Sequence, residues 1–234
     1  MNQTVKLWMF RGVVGLLVVL VGIIGVPWVY INVIKDDAPD ALSLEPVSTS
    51  LPVDTSVNNN ENELEGEWLL GPDSVVGYRV KEILFGQSTE GVGRTSEIDG
   101  SLTISENSVV SAEFEVAMAT LMSDSDRRDR QVNGRILDTA SFPTSVFTLT
   151  SPIALTPEAV SGAEFPVSAA GKLTLRGVTK DVNVEIVARL IDGLIEINGK
   201  IEIVFADWQI PDPSVSGISV EPSGLLEFLL RFSR

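Results

Sequence analysis

Neither cysteine nor histidine occurs among the 234 residues. Without cysteine there is no disulfide framework, no thiolate nucleophile and no cysteine-ligated zinc or iron–sulfur site. Without histidine the chain lacks the usual zinc, copper and haem ligand, and the side chain best tuned to move protons near neutral pH. Cations are scarce too: 17 Lys and Arg stand against 32 Asp and Glu, a formal net charge of −15. Nucleic acid is therefore a poor partner, because duplex binding is driven by cations neutralising phosphates. A dinucleotide fingerprint is also missing. Gly91-Val92-Gly93 has no third glycine and no strand-to-helix context, and it reads as a loop. No cofactor and no metal is implied.

What is present is unevenly spread. Residues 1–35 carry three bases and no acid, residues 36–66 carry eight acids and no base, and residues 67–234 carry 24 acids and 14 bases. Within the first stretch, residues 12–31 form a run of 20 without charge, GVVGLLVVLVGIIGVPWVYI. About 20 apolar residues in a helix cross a hydrocarbon core of roughly 30 Å. Trp8, Trp28 and Tyr30 bracket the run as interfacial aromatics do, and Pro27 sits near its end, where a lost backbone bond matters least. A cleaved signal peptide would show a small-x-small site after the run; PWVYINVIK offers none. The expectation is a cytoplasmic N-terminus at 1–11 and an uncleaved transmembrane helix at 12–34. Lys6 and Arg11 before it, against Lys35 after it, place the C-terminal domain outside the cytoplasm.

Residues 35–65 contain several prolines, many Ser, Thr and Asn and, after Lys35, charge of one sign, a composition that cannot build a core. They are expected to be a disordered linker of typical span near 30 Å.

From Trp68 onward the dominant hydrophobic period is two. Val76, Tyr78 and Val80 share one face; Ile98, Gly100, Leu102 and Ile104 alternate with polar residues; Val110, Ala112, Phe114 and Val116 do the same. Phe147 with Leu149, and Leu173 with Leu175, continue the pattern. The longest stripe is Val182, Val184, Ile186, Ala188 and Leu190, followed by an Asp192-Gly193 turn and then Ile195, Ile197, Ile201, Ile203 and Phe205. Leu226, Phe228, Leu230 and Phe232 close the chain. At least eight one-sided strands separated by turns predict an all-β antiparallel sandwich or barrel. Residues 119–137 are dense in charge and read as a loop with one or two helical turns.

One-sided stripes are compatible with a solid core or with a lined cavity. Gly100, Ala112 and Ala188 are small enough to leave space on the inward faces. Arg127, Arg128, Arg130 and Arg135 suit a phosphate or quinone head, or else local pairing with Asp124, Asp126, Asp129 and Asp138. The three aspartates at 124, 126 and 129 lack the spacing, glycine and terminal glutamate of a calcium loop. Trp208 beside IPDP reads as a packed rim residue.

Several motifs together resemble the YceI-like family of lipocalin-like, polyisoprenoid-binding barrels. They are GEW at 66–68, SVVGYRV at 74–80, Arg128-Asp129, ILDTASFPTSVF at 136–147, GKLTLRGVTK at 171–180 and FADW at 205–208. They cover residues 66–234 in order. Arg176 stands where the family commonly has His before Gly-Val-Thr. The resemblance implies an eight-stranded antiparallel barrel with a long apolar pocket for an isoprenoid lipid or quinone, and no catalysis. By face parity the expected lipid-binding residues are Val76, Tyr78, Val80, Leu102, Phe114, Val116, Phe147, Leu149, Leu173, Leu175, Val184, Ile186, Phe205 and Phe228. Arg128 and Arg135 are the head-group candidates. The partners expected are that lipid, the membrane through the N-terminal helix, and a second copy in a homodimer. Two other readings remain: a tethered adhesion or assembly module with a filled barrel, and an envelope hydrolase using paired carboxylates.

Overall fold

The computed structural model describes residues 22, 25–29, 38–46 and 64–234. The chain divides into residues 1–38 and 39–234. In the first unit, Val26–Val29 forms one helical turn. Among the described residues no helix is long and apolar enough to cross a membrane. The expected span at 12–34 falls mostly outside them.

The second unit is a closed antiparallel barrel of eight staves, two of them bent and broken into two strands. The first stave is β1 (Gly66–Leu70) with β2 (Val75–Leu84), and the second is β3 (Gln87–Thr95) with β4 (Ile98–Ser105). Then follow β5 (Ser108–Ala117), β7 (Thr144–Leu149), β9 (Phe165–Leu175), β10 (Val178–Ile191), β11 (Leu194–Val204) and β13 (Ser223–Ser233). Short pieces β6 (Met122–Ser123), β8 (Ile153–Ala154) and β12 (Ile218–Val220) pair with β3, β5 and β2. Pairing of β13 with both β1 and β2 closes the ring, and β6 covers part of the far edge of β3, at Gly93 and Arg94.

Neighbouring staves are joined by tight turns whose central residues both have positive φ: Phe85-Gly86, Glu106-Asn107, Arg176-Gly177 and Asp192-Gly193. That backbone matches the twist of paired strands. The barrel therefore has an Asn107 end, shared with Asp192-Gly193, and a Gly177 end, shared with Phe85-Gly86.

Three local departures from the sequence pattern have clear causes. Gly91-Val92-Gly93 is not a loop; it lies within β3, paired to β2. A Cβ on Gly93 would come within 2.4 Å of the Tyr78 ring, so glycine is what lets that ring lie across the strand. Val110 points outward and is exposed, while Val109 takes the inward place, because the β4–β5 register shifts at Thr103/Ile104. Gly100 leaves no space, since the Phe114 ring of the next strand fills it to 2.7 Å of a would-be Cβ. The stretch 119–137 is more helical than expected: a six-residue helix at Asp126–Gln131, N-capped by Ser125, runs on into a π-helical turn at Val132–Ile136.

The linker differs more. Residues 39–46 are neither helix nor strand and lie on the outer wall of the barrel, with the carbonyls of Pro39, Asp40, Leu42 and Glu45 accepting hydrogen bonds from barrel side chains. The barrel proper begins at Leu64, which is buried and whose carbonyl accepts from Trp68 Nε1 at 2.9 Å. Residues 35–37 and 47–63 lie outside the described residues.

Candidate functional site

The inward stripes do not pack alike along the barrel axis. At the Gly177 end, Met118, Leu121, Leu173, Leu175, Ile203, Phe205, Trp208 and Ile210 form one buried cluster. The loop 118–143 and the turn Phe205–Trp208 supply its outer layer and stop the barrel. Tyr78 and Val80 pack against it.

Toward the Asn107 end the interior opens into a cavity of about 150 Å3. An apolar cavity of about this size stays dry and takes one benzene-sized guest. Its wall is aliphatic and aromatic: Leu102, Phe114, Leu149, Val167, Val184, Ile186, Ile197 and Phe228 are representative. Phe114 and Phe147 stack with centroids 6.1 Å apart and planes 9° apart. The Phe147 ring lies over Gly171, where a Cβ would meet it at 2.3 Å, so this pair is a fixed shelf rather than a mobile one. Ala112, Ala169 and Ala188 line the cavity as well, and their short side chains leave the room. The Asn107 end is covered by Leu64 and by Ile153, Leu155 and Ala159, which belong to the connection between β7 and β9.

Polar groups in the wall are few and already engaged. Ser145 Oγ donates to the Thr174 carbonyl at 2.7 Å; Arg189 also borders the cavity, but its guanidinium lies on the outer face, held by Glu196 at 2.5 Å. Among the described lining residues no free donor awaits a head group. What the site can do chemically is take apolar surface out of water, worth about 25 cal/mol per Å2 before ordering costs.

Ten of the residues expected from parity line the cavity: Val76, Leu102, Phe114, Val116, Phe147, Leu149, Leu173, Val184, Ile186 and Phe228. The other four, Tyr78, Val80, Leu175 and Phe205, belong to the solid cluster at the Gly177 end. Parity distinguishes inside from outside but carries no information on position along the axis. Sequence reasoning missed Leu155 and Ala159, which sit in a connection with no strand period.

Arg128 and Arg135 are both at the Gly177 end, away from the cavity. Arg128 donates to Glu82 at 3.1 Å and pairs with Asp124. Burial disfavours its charge, but Glu82 and Asp124 outweigh that and hold the guanidinium more firmly cationic than usual. Arg135 donates to the carbonyls of Asp212 and Pro213 at 2.6 and 3.0 Å. Both therefore tie down the loops that stop the barrel. Nearby, burial pushes the Tyr78 phenol up to about 12. Ser123 faces the phenol, yet its Oγ is bonded to Asp129 at 2.6 Å, and among the described residues the Tyr78 hydroxyl has no hydrogen-bond partner of ordinary geometry. Arg176 lies over the Phe142 ring at 5.7 Å and donates to the Gln209 carbonyl, a clamp on the turn that needs no histidine.

A sequence model of the YceI-like domain matches residues 68–232. The chain belongs to the YceI-like family. Among solved structures, a polyisoprenoid binding domain from Saccharophagus degradans, implicated in plant cell wall breakdown, superposes with TM-score 0.56 at 15% identity. The match covers 72% of this chain and 98% of that one. BcnA from Burkholderia cenocepacia superposes with TM-score 0.54 at 18% identity, covering 68% and 95%. No curated protein sequence matches the chain. At these identities the structural likeness is one of fold: an eight-stranded YceI-like barrel.

Proposed function

We propose that this YceI-like barrel binds an isoprenoid lipid or quinone by its hydrocarbon chain, without catalysis, for carriage or sequestration at the outer face of the membrane. The observation that carries this is the apolar cavity of the Asn107 half, where the Ser145 hydroxyl among the described lining residues is already bonded. Its present size suits the terminal part of a prenyl chain. A longer chain requires the connection bearing Ile153, Leu155 and Ala159 to move aside, since these residues cover the end of the cavity. The similar fold of the polyisoprenoid binding domain from Saccharophagus degradans supports the same ligand class.

The site recognises tail rather than head. A guest's polar end would stay outside the cavity, because nothing in the wall is free to bind it. The residues 12–34 would hold the barrel at the membrane, where such guests reside. The absence of a histidine or cysteine nucleophile in the sequence fits a binder.

Gentle extraction of the protein from its own cells, followed by mass spectrometry of the solvent-extracted lipid, tests this reading. Prenyl lipid in near-stoichiometric amount is expected. The small cavity volume favours one alternative, an assembly module with a filled barrel. Protein free of lipid, and refusing it on challenge, would establish that alternative.

A further inference from the structure

By strand parity Arg79, Arg189, Glu196 and Glu227 face outward, where charged side chains are normally solvated. Here they are buried, at 8%, 4%, 6% and 4% exposure. They form two ion-pair groups on the wall. Glu227 takes Arg79 at 3.1 Å and Arg94 at 2.8 Å; Glu196 takes Arg189 at 2.5 Å and Arg231 at 2.8 Å. A buried guanidinium needs its remaining donors satisfied. Residues 39–46 do that with main-chain oxygens. Arg79 Nη2 donates to the Pro39 carbonyl and Arg189 Nη1 to that of Glu45, each at 2.7 Å. Asn198 Nδ2 donates to the Leu42 carbonyl at 2.9 Å, and Arg94 donates to that of Asp40. The donors sit on β3, β2, β11 and β10, so the segment crosses the staves rather than joining them as a strand.

The segment itself, PDALSLEP, is suited to this course. Leu42 and Leu44 are half-buried while Ser43 and Glu45 are exposed, a local period of two. Proline at both ends restricts the free chain and lowers the entropy lost on docking. The two groups hold four guanidiniums against two carboxylates, and Glu90 on Arg79 and Glu164 on Arg189 complete the balance, so the hydrogen bonds to carbonyls, rather than net charge, select the main chain.

We propose that the outer wall of β10, β11, β13, β2 and β3 is a docking site for an extended main-chain segment, and that its occupant is residues 39–46 of the same chain, acting as a fixed strap. The linker is then not one free coil. The strap also meets the cover of the cavity, because Arg189 Nη1 donates both to Glu45 and, at 3.3 Å, to Glu164 in the connection before β9. The proposal does not depend on what the cavity holds.

The cysteine-free sequence makes the test direct. Spin labels are placed on Ser43→Cys and Lys172→Cys in the full chain in detergent, and their separation is read by pulsed electron resonance, diluted with unlabelled protein. A free chain between Ser43 and Leu64 would spread over about 25 Å. A docked strap gives one narrow distance. Arg94→Ala with Asn198→Ala is expected to lose that narrow peak while the thermal transition of the barrel remains. If this pair fails to fold, replacing residues 39–46 by a Gly/Ser chain must lose it instead. A broad distribution in the parent overturns the strap. A narrow peak that vanishes on dilution assigns the occupant to a second copy and overturns docking within one chain. A narrow peak untouched by the variants overturns the role given to the donors.

Discussion

The two halves of this barrel are built from the same alternating strands and end up with opposite interiors. At the Gly177 end, loops and a short turn bring Met118, Leu121, Trp208 and Ile210 over the strand residues, and the interior is solid. At the Asn107 end the strands carry Ala112, Ala169 and Ala188, and the interior is hollow. Strand period alone gives both halves an apolar lining. What separates them is the material brought by connections and the size of a few inward residues. Each half keeps a buried cluster of its own, with Trp68, Leu230 and Phe232 at the Asn107 end, and it is beside that second cluster that packing is given up for space.

Substitutions can break this contrast. The largest effect is expected from a charge in the solid half. Leu175→Glu buries an unpaired carboxylate among close-packed side chains and should abolish the cooperative unfolding transition seen by circular dichroism. Phe114→Glu faces the cavity, where water can follow the charge; it should leave a weakened transition and no uptake of a prenyl probe. Equal behaviour of the two variants would remove the distinction between the halves.

Next in size, Trp208→Ala should cost about 3–5 kcal/mol, the range for truncating a large buried aromatic. Leu149→Ala only enlarges an existing cavity and should fall at the lower end of the range for such changes, about 2 kcal/mol. Denaturant unfolding measures both.

Tyr78 gives the solid half a pH signature. Its phenol is raised from the ordinary 10 to about 12 by burial. The unfolded chain therefore releases this proton before the folded one. The stabilisation from keeping Tyr78 neutral is complete below pH 10 and is lost as pH rises to about 12, in all about 2–3 kcal/mol. Tyr78→Phe should flatten stability between these values. Because the chain has only two tyrosines, ultraviolet titration can follow the group itself.

The smallest change in stability is expected from Ala188→Leu, which fills the hollow half. Volume added to an empty space should stabilise by about 0.5–2 kcal/mol, while prenyl uptake is lost. Destabilisation with retained uptake would mean that the space is not where Ala188 points.

Most of the barrel was legible because its inward residues recur at every second position. The stripe from Val182 to Leu190 and the Asp192-Gly193 turn needed nothing else. β3 was not legible, because two of its positions are glycines that make way for other residues: the Tyr78 ring at Gly93, and Val80 with Arg128 at Gly91. Val109 and Val110 exchange roles through a bulge in β5, where Val110 is skipped between Thr103↔Ser111 and Ile104↔Val109, a shift that the alternation of the sequence does not mark. The division between solid and hollow halves depends on residues 118–143 and 205–210, which have no period. The strap was hidden for a different reason. Its composition is that of a linker, and the residues that bind it are 40 to 156 positions away. Local sequence cannot show that an extended segment has a wall to lie on.

The central claim is that the hollow half admits a prenyl chain. Native mass spectrometry of the protein challenged with geraniol and farnesol tests it most directly, with Ala188→Leu as the filled control. The account predicts one bound guest on the parent and none on Ala188→Leu. A parent that stays at its unliganded mass with both alcohols would contradict it.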